Sequence, residues 1–206
     1  KLRRALTGLS YPPALWNPIW MAPLDPAALA ELLHEPVRAE DIYGDAIALW
    51  EEDGRKSLVD RTLEFFSNFY LPDDILMKVD RAAMMVSLES RAVFLDNDLV
   101  DFARRLPARF KYRKGERKYL LKRAMRPLLP RAVLDRPKKG FGMPIASWLR
   151  SLAPPAAAGV AGLDGSALAA AWREHRAGKR DHRLLLWCWL SLQHCIGGGT
   201  GYAAAA

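Results

Sequence analysis

Three stretches concentrate the side chains whose types and spacing suit chemistry. The first, Tyr70 to Asp96, sets Asp73, Asp74, Lys78, Asp80, Arg81, Glu89, Arg91 and Asp96 among apolar helix formers. On a helix, Asp74 and Lys78 are i,i+4 neighbours, and Met77 shares a face with Arg81. Acids flanked by bases on a half-buried segment serve either as structural ion pairs or as site residues, and the spacing permits both. The second stretch is Lys111 to Lys122, KYRKGERKYLLK. Gly115 breaks the chain before a helix whose first turn carries Glu116 and Lys118. An ammonium there suits a phosphate, which the free N–H groups of a helix start also attract. The alternative is a surface helix with snorkelling lysines. The third, Leu134 to Trp148, has Pro137, Gly140, Gly142 and Pro144 around Lys138 and Lys139. Such spacing forces a shaped loop. Loop closure can deliver a lysine to a reacting centre, or the loop is simply basic and flexible.

Charge singles out the same region. Arg104 to Lys139 holds 15 Lys and Arg against Glu116 and Asp135, a net of +13 in a chain of +8. The remainder is therefore −5. A basic block beside a mildly acidic body suits an anionic partner such as a nucleotide, phosphate, pyrophosphate or nucleic acid, or it forms a solvated face.

The elements that must position these residues read as helices. Asp25 before Pro26 caps a helix over Ala27 to His34. Further helices fit Glu40 to Glu52, Ser57 to Tyr70, Leu71-Pro72 to about Val86, and Asn97 to Leu106. Glu116 to Leu128, Pro144 to Leu152, Ser166 to Arg176 and His182 to Cys195 complete the set. The last is apolar nearly all round, as a core helix would be. No run of period-two alternation predicts a sheet. Residues 153–165 read as a flexible loop and 197–206 as a disordered or engineered tail, with Gly197 placed to end the last helix. No internal repeat of useful length appears.

Composition bounds the rest. A chain of 206 residues, 50% hydrophobic and 26% charged, is too apolar for a disordered polymer and allows one ordinary domain or two small ones. The longest apolar run, Leu184 to Leu190, is far short of the roughly 20 residues that span a bilayer. No signal peptide opens the chain, and two cysteines make no disulfide framework, so a reducing cytoplasm is the expectation. Cys188 and Cys195 stand about 10 Å apart on a helix, too far to bridge, and Cys195 reads as a packed core thiol. His34, His175 and His182 show no acid or nucleophile partner pattern, and no metal-ligand spacing is present. No Walker loop, GxGxxG or GxSxG occurs. The first residue is Lys, which suggests a fragment or processed product.

Together the three stretches resemble the C-terminal part of the synthetase domain in the asparagine synthetase B family, the glutamine-dependent asparagine synthases. YLPDDILMKVDRAAMMVSLESR with FLD two residues on is similar to the family's central segment. KGERKYLLKRA resembles its Gly-x-x-Lys helix, and LPRAVLDRPKKGFGMPIASWLR its Arg-Pro-Lys loop. Order and spacing match over Phe66 to Arg150, and the Trp-rich last helix is of the family type. Ala92-Val93 departs from the usual Val-Pro, and Met85 from a usual small residue.

The resemblance implies a mainly α chain: the helical C-terminal portion of an α/β adenine-nucleotide α-hydrolase-like (ATP-pyrophosphatase) synthetase domain, over residues 1–196 with a motif core at 66–150. It implies an ATP-dependent ligase that adenylates aspartate, or a related carboxylate, and admits ammonia from glutamine. Lys138 matches the catalytic lysine, Lys118 a phosphate or pyrophosphate contact, and Asp74 an active-site acid. Lys78, Asp80 and Arg81 would stand behind them, with Glu89 and Arg91 as a buried structural pair. ATP with Mg²⁺ is implied, with no metal ligand among these residues. The glutaminase domain, the Ser-Gly-Gly-x-Asp-Ser phosphate loop and the Gly-Asp-Glu-type motif of the family are not in these residues. Upstream segments, covalent or separate, are the implied partners, and the chain alone is expected to be inactive. β-Lactam synthetases and lasso-peptide cyclases keep the same adenylation and change the nucleophile, so they remain alternatives. A helical RNA-binding module is the alternative of another class, with Phe110, Tyr112, Tyr119 and Phe141 as stacking platforms. Neither nucleic acid nor membrane is expected as a partner.

Overall fold

The computed structural model describes residues 2–137, 140, 142–154 and 162–196. The expectations for 155–161, for the tail from Gly197 and for Lys138, Lys139 and Phe141 lie outside the described residues. The chain is mainly helical. In order it forms α1 (Leu2–Leu9), α2 (Trp16–Met21), α3 (Pro26–Leu33), α4 (Ala39–Glu51), α5 (Leu58–Phe65), a π-helical segment (Phe66–Leu76), α6 (Met77–Met84), α7 (Asn97–Arg105) and α8 (Ala108–Lys111). A two-stranded hairpin follows, β1 (Tyr112–Arg113) and β2 (Glu116–Arg117). Then come α9 (Tyr119–Met125), α10 (Arg131–Leu134), α11 (Ile145–Ser151), α12 (Gly165–Arg176) and α13 (Arg183–Ile196). These elements form two compact units, one from Lys1–Ile47 with Gly140–Ala206, the other Ala48–Lys139.

The first unit has its core on α11, α12 and α13. Leu168, Ala171 and Trp172 recur at i, i+3, i+4 along α12, and Leu186, Trp189 and Leu190 do so on α13. They meet Leu149 of α11 and Leu32 of α3. The Trp172 and Trp189 rings pack edge to face with centroids 5.9 Å apart. Each fully buried large apolar side chain here contributes roughly 1.5–3 kcal/mol. Capping fixes the ends. Asp25 accepts the Ala28 N–H at 2.9 Å, as its place before Pro26 predicts. Asp164 caps α12 by accepting from Ser166 N–H at 2.8 Å and Ala167 N–H at 3.1 Å. Its own N–H donates to the Leu32 carbonyl at 2.9 Å, which ties the end of α3 to the start of α12.

At the N-terminus, α1 packs on α2 through Gly8. A Cβ on Gly8 would lie 1.9 Å from the Trp20 indole nitrogen, so only glycine fits beneath that ring. The Trp20 N–H points to the Ala5 carbonyl at 3.4 Å, and the Arg4 guanidinium donates to the Ala22 carbonyl. Neither α1 nor α2 is among the helices read from sequence. Tyr43 leaves helical geometry at φ −118°, ψ 18° and kinks α4, which the sequence presents as one regular helix.

The second unit runs from Ala48. The sequence predicts a break at Leu71-Pro72, but the chain stays helical through it. Pro72 has no N–H and its ring collides with the carbonyl of residue i−4. The wider π turn over Phe66–Leu76 accommodates it. Aromatic pairs at i,i+4 line this segment, Phe65 with Phe69 at 5.4 Å and Phe66 with Tyr70 at 5.7 Å between centroids. The helix expected from Glu116 begins only at Tyr119. Lys114 and Gly115 both have positive φ, at 48° and 84°. That pair makes the tight hairpin turn of type I′, which glycine favours, and pairs Arg113 with Glu116 and Tyr112 with Arg117. The two-residue strands are too short to show alternation, which is why the sequence predicts no sheet.

α13 also differs from expectation. Leu186, Trp189 and Leu190 are buried, but Leu184, Trp187, Leu192 and Ile196 are exposed, as are Cys188 and Cys195. One face of α13 is in the core and the other is not. Cys195 is thus no packed core thiol.

Candidate functional site

The chemistry-bearing residues of the sequence fall mainly in the second unit. Asp74 sits on the π-helical segment and Lys78 one turn on in α6. Lys78 Nζ lies 2.8 Å from Asp74 Oδ1, the i,i+4 pair that the spacing predicts. Both side chains are largely solvated, so the pair itself adds little stability. Asp80 and Arg81 follow on α6, exposed and without an ion pair among the described residues. Glu89 and Arg91 do pair, yet both are exposed, against the expectation of a buried couple. They lie in the non-helical stretch after α6, where no element covers them.

Lys118 stands between β2 and α9 with φ 58°, as the residue before the first helical position rather than inside a first turn. The hairpin turn moves it there. Around it Arg113, Lys114 and Arg117 are exposed and have no carboxylate partner among the described residues. The Arg113 guanidinium donates to the Tyr119 hydroxyl at 2.8 Å and lies 5.1 Å from the centre of its ring. Lys122 reaches Glu116 at 3.5 Å. The result is a cationic hairpin stiffened by one stacked arginine. No hydrogen bond or ion pair joins Asp74 or Lys78 to Lys118 among the described residues. Lys138 lies outside the described residues.

Sequence reasoning missed the charges that hold this unit together. Lys111 of α8 donates to Asp60 of α5 at 2.8 Å across 51 residues, with both groups mostly shielded. Burial pushes the Asp60 carboxyl up, but hydrogen bonds from Lys111 and the Ser57 hydroxyl outweigh it and hold the group below the usual carboxylate range. Lys56 joins Glu64 at 2.8 Å and Glu52 at 3.4 Å, which raises its ammonium's affinity for the proton, with the Glu64 bond the largest cause. Arg61 lies 5.2 Å from the centre of the Trp50 ring and donates to the Asp53 carbonyl at 3.2 Å. Charge-partner periodicity at i,i+4 points to Lys56–Glu52. Nothing local in the sequence points to Asp60–Lys111.

In the first unit the histidines have partners after all. His182 and Glu174 approach to 2.7 Å, and that bond, the largest cause, lowers the Glu174 carboxyl's affinity for the proton. His175 is fully buried, between the Ala146 carbonyl at 3.0 Å and the His182 N–H at 3.2 Å.

The donor set decides what could be held. No three His, Cys, Asp or Glu side chains converge as a metal needs, among the described residues. Unpaired guanidinium and ammonium groups on the hairpin suit phosphate oxygens. The hairpin therefore offers cationic donors of the kind that phosphate oxygens accept from. No helix among them is long and apolar enough to cross a membrane.

Comparison with known proteins extends this picture. The family model described as asparagine synthase matches residues 5–196. This chain belongs to the asparagine synthase family. Putative glutamine-hydrolyzing asparagine synthetases of Mycobacterium bovis and Mycobacterium tuberculosis are 43% identical to it over 171 residues. That span is 78% of this chain and 24% of each relative. Asparagine synthetase [glutamine-hydrolyzing] 1 of Bacillus subtilis is 42% identical over 82 residues, 40% of the chain and 13% of that protein. The chain thus spans about a quarter of the length of the mycobacterial relatives. No solved structure matches. The match takes in all three motif stretches and also α2 and the part of α1 from residue 5.

Proposed function

We propose that these residues are the helical C-terminal part of an ATP-dependent, amide-forming ligase of asparagine synthase type, within an α/β ATP-pyrophosphatase domain. One observation carries the reading: a single family match runs through every chemistry-bearing stretch in order, from residue 5 to 196. In the proposed reaction the side-chain carboxylate oxygen of aspartate attacks the α-phosphorus of ATP, and pyrophosphate leaves. Ammonia derived from glutamine then attacks the β-carbonyl of β-aspartyl-AMP. AMP departs, a proton is lost, and asparagine remains.

Both steps develop negative charge on phosphate or carbonyl oxygens, so fixed cations that meet this charge lower the barrier most. Lys138 takes that role, on the loop that Pro137, Gly140 and Gly142 shape. Lys118, at the end of the hairpin that carries Arg113 and Arg117, contacts the departing pyrophosphate. Asp74 is the active-site acid, and its bond with Lys78 holds its carboxylate in place. Glutaminase and phosphate-loop segments supply ammonia and hold the nucleotide. The test uses the full-length protein with ATP, aspartate and either glutamine or ammonium. Asparagine, AMP and pyrophosphate should form in equal amounts. ADP as the product, or no aspartate-dependent pyrophosphate, would remove this reading. Activity with another carboxylate or amine alone would redirect it to a β-lactam synthetase-like or cyclase-like ligase.

A further inference from the structure

The helix that carries Asp74 runs without a break from Leu58 to Met84, and its middle eleven residues, Phe66–Leu76, are π-helical. π geometry is rare and mostly confined to single turns, so a stretch of this length needs a cause. Pro72 supplies it. In an α register its ring would strike the Asn68 carbonyl, four residues back. The wider register relieves that clash and closes at Met77, whose N–H reaches the Pro72 carbonyl, five residues back, as well as that of Asp74. Near the other end, the Asn68 side-chain amide donates to the Glu64 carbonyl at 2.9 Å. In an α register that carbonyl belongs to the Asn68 backbone N–H.

The register has a rotational consequence. A π turn holds about one residue more than an α turn, so returning one turn to the α register swings all that follows by roughly 100° about the axis. Asp74, Lys78 and their 2.8 Å bond lie on the far side of Pro72. On the near side lies α5, which cannot turn with them, because Asp60 is bonded to Lys111 at 2.8 Å. Lys111 ends α8 and β1 begins at the next residue; β2 ends one residue before Lys118. The cationic hairpin is thus tied to α5, and Asp74 connects to α5 through the π stretch.

We infer that Pro72 is a positioning residue: by holding Phe66–Leu76 in the π register it sets the angle at which Asp74 and Lys78 stand relative to α5 and, through Asp60 and Lys111, to the hairpin that leads to Lys118. Its bearing on amide formation rests on the roles given to Asp74 and Lys118 above.

Pro72→Ala restores the N–H and removes the ring. Crystal structures of the full-length wild type and this variant read the register, and kinetics read its effect. The variant should show Phe66–Leu76 as α-helix, with the Met77 N–H on the Asp73 carbonyl and Asp74 turned by roughly 100°. In amide synthesis kcat should fall roughly 10–100-fold with the KM for ATP within about twofold. The thermal midpoint should not fall, since alanine suits a helix interior far better than proline. A packing role would not separate rate from stability in this way. Deleting Ser67 in the Pro72→Ala background turns the downstream helix back by roughly 100° and should recover kcat about threefold or more. A variant that stays π-helical, or one that becomes α-helical and keeps wild-type turnover, would overturn the inference. So would a loss of turnover that tracks a lowered midpoint and that the deletion does not recover. A wild type that makes no amide would remove the ligase reading, and the register and the turn of Asp74 in the two crystal structures would then decide the positioning by Pro72 alone.

Discussion

Lys111 and Asp60 stand 51 residues apart in sequence and 2.8 Å apart in space. Their bond joins α8 to α5. Lys111 also donates to the Arg104 carbonyl at 3.2 Å, so one ammonium ties three helical ends. It is the long-range polar link of a unit whose described side chains are otherwise mostly exposed.

Asp60→Asn should therefore loosen the second unit. The substitution leaves a mostly shielded ammonium with a neutral acceptor, which costs about 1–2 kcal/mol. Urea unfolding should show a lower midpoint with an unchanged slope. Pairing Asp60→Leu with Lys111→Met should recover part of the loss, since both charges then leave together. A double variant no better than Asp60→Asn would refute the pairing as the cause.

Acid should destabilise the protein in a window these carboxyls define. Asp60, Asp164 and Glu174 are all held below their usual range, Asp164 chiefly by the Ser166 hydroxyl. A carboxyl depressed in the folded state adds stability that is complete above its unfolded value. That stability is lost as pH falls through the folded one. Melting points should hold above pH 5 and drop below roughly pH 4. Glu174→Gln should flatten the drop, and an identical acid limb in that variant would exclude the Glu174–His182 bond as a contributor.

Gly8→Ala tests the approach of α1 to α2. The new methyl must push the Trp20 ring away and break its contact with the Ala5 carbonyl. Overpacking of this kind costs about 1–3 kcal/mol. Amide exchange over residues 2–9 should quicken while α11 to α13 stay protected. Unchanged exchange would mean the ring moves aside freely.

On the proposed ligase reading, Lys138→Ala in the full-length protein should reduce amide synthesis by about 10²–10³ without lowering the melting point. Lys139→Ala is the control, with the same charge removed at the neighbouring position, and should change little. Reversal of the two results would shift the motif by one residue. Near-normal rates in both would leave the loop without a catalytic role.

What the sequence displayed was local. Asp25-Pro26 and the i, i+3, i+4 pattern of Leu168, Ala171 and Trp172 mark helices by rules that need only a few neighbours, and α3, α11 and α12 stand near their expected bounds. The hairpin was hidden because two-residue strands have no period. Its only signal is Gly115 after a lysine, which reads as well as a helix breaker. Phe66–Leu76 reads as two helices because Pro72 breaks an α-helix and a π turn leaves no separate signature. His175 reads as partnerless because its partners are backbone groups, 29 residues back in α11 and seven ahead. Composition cannot show such bonds. For the candidate site, Asp74–Lys78 was legible from spacing, while the setting of Lys118 was not, because a turn of positive φ decides it.

Between residues 48 and 137, Phe65 alone is buried among the described residues. The heat capacity change of unfolding scales with the apolar area newly wetted. Melting of the second unit as it stands would therefore add little to that quantity, and its stability would vary gently with temperature. The first unit, with Trp172, Trp189 and the leucines around them, would supply most of the curvature. A calorimetric trace of this chain would accordingly show one sharp transition with a clear baseline step and one broad transition with hardly any.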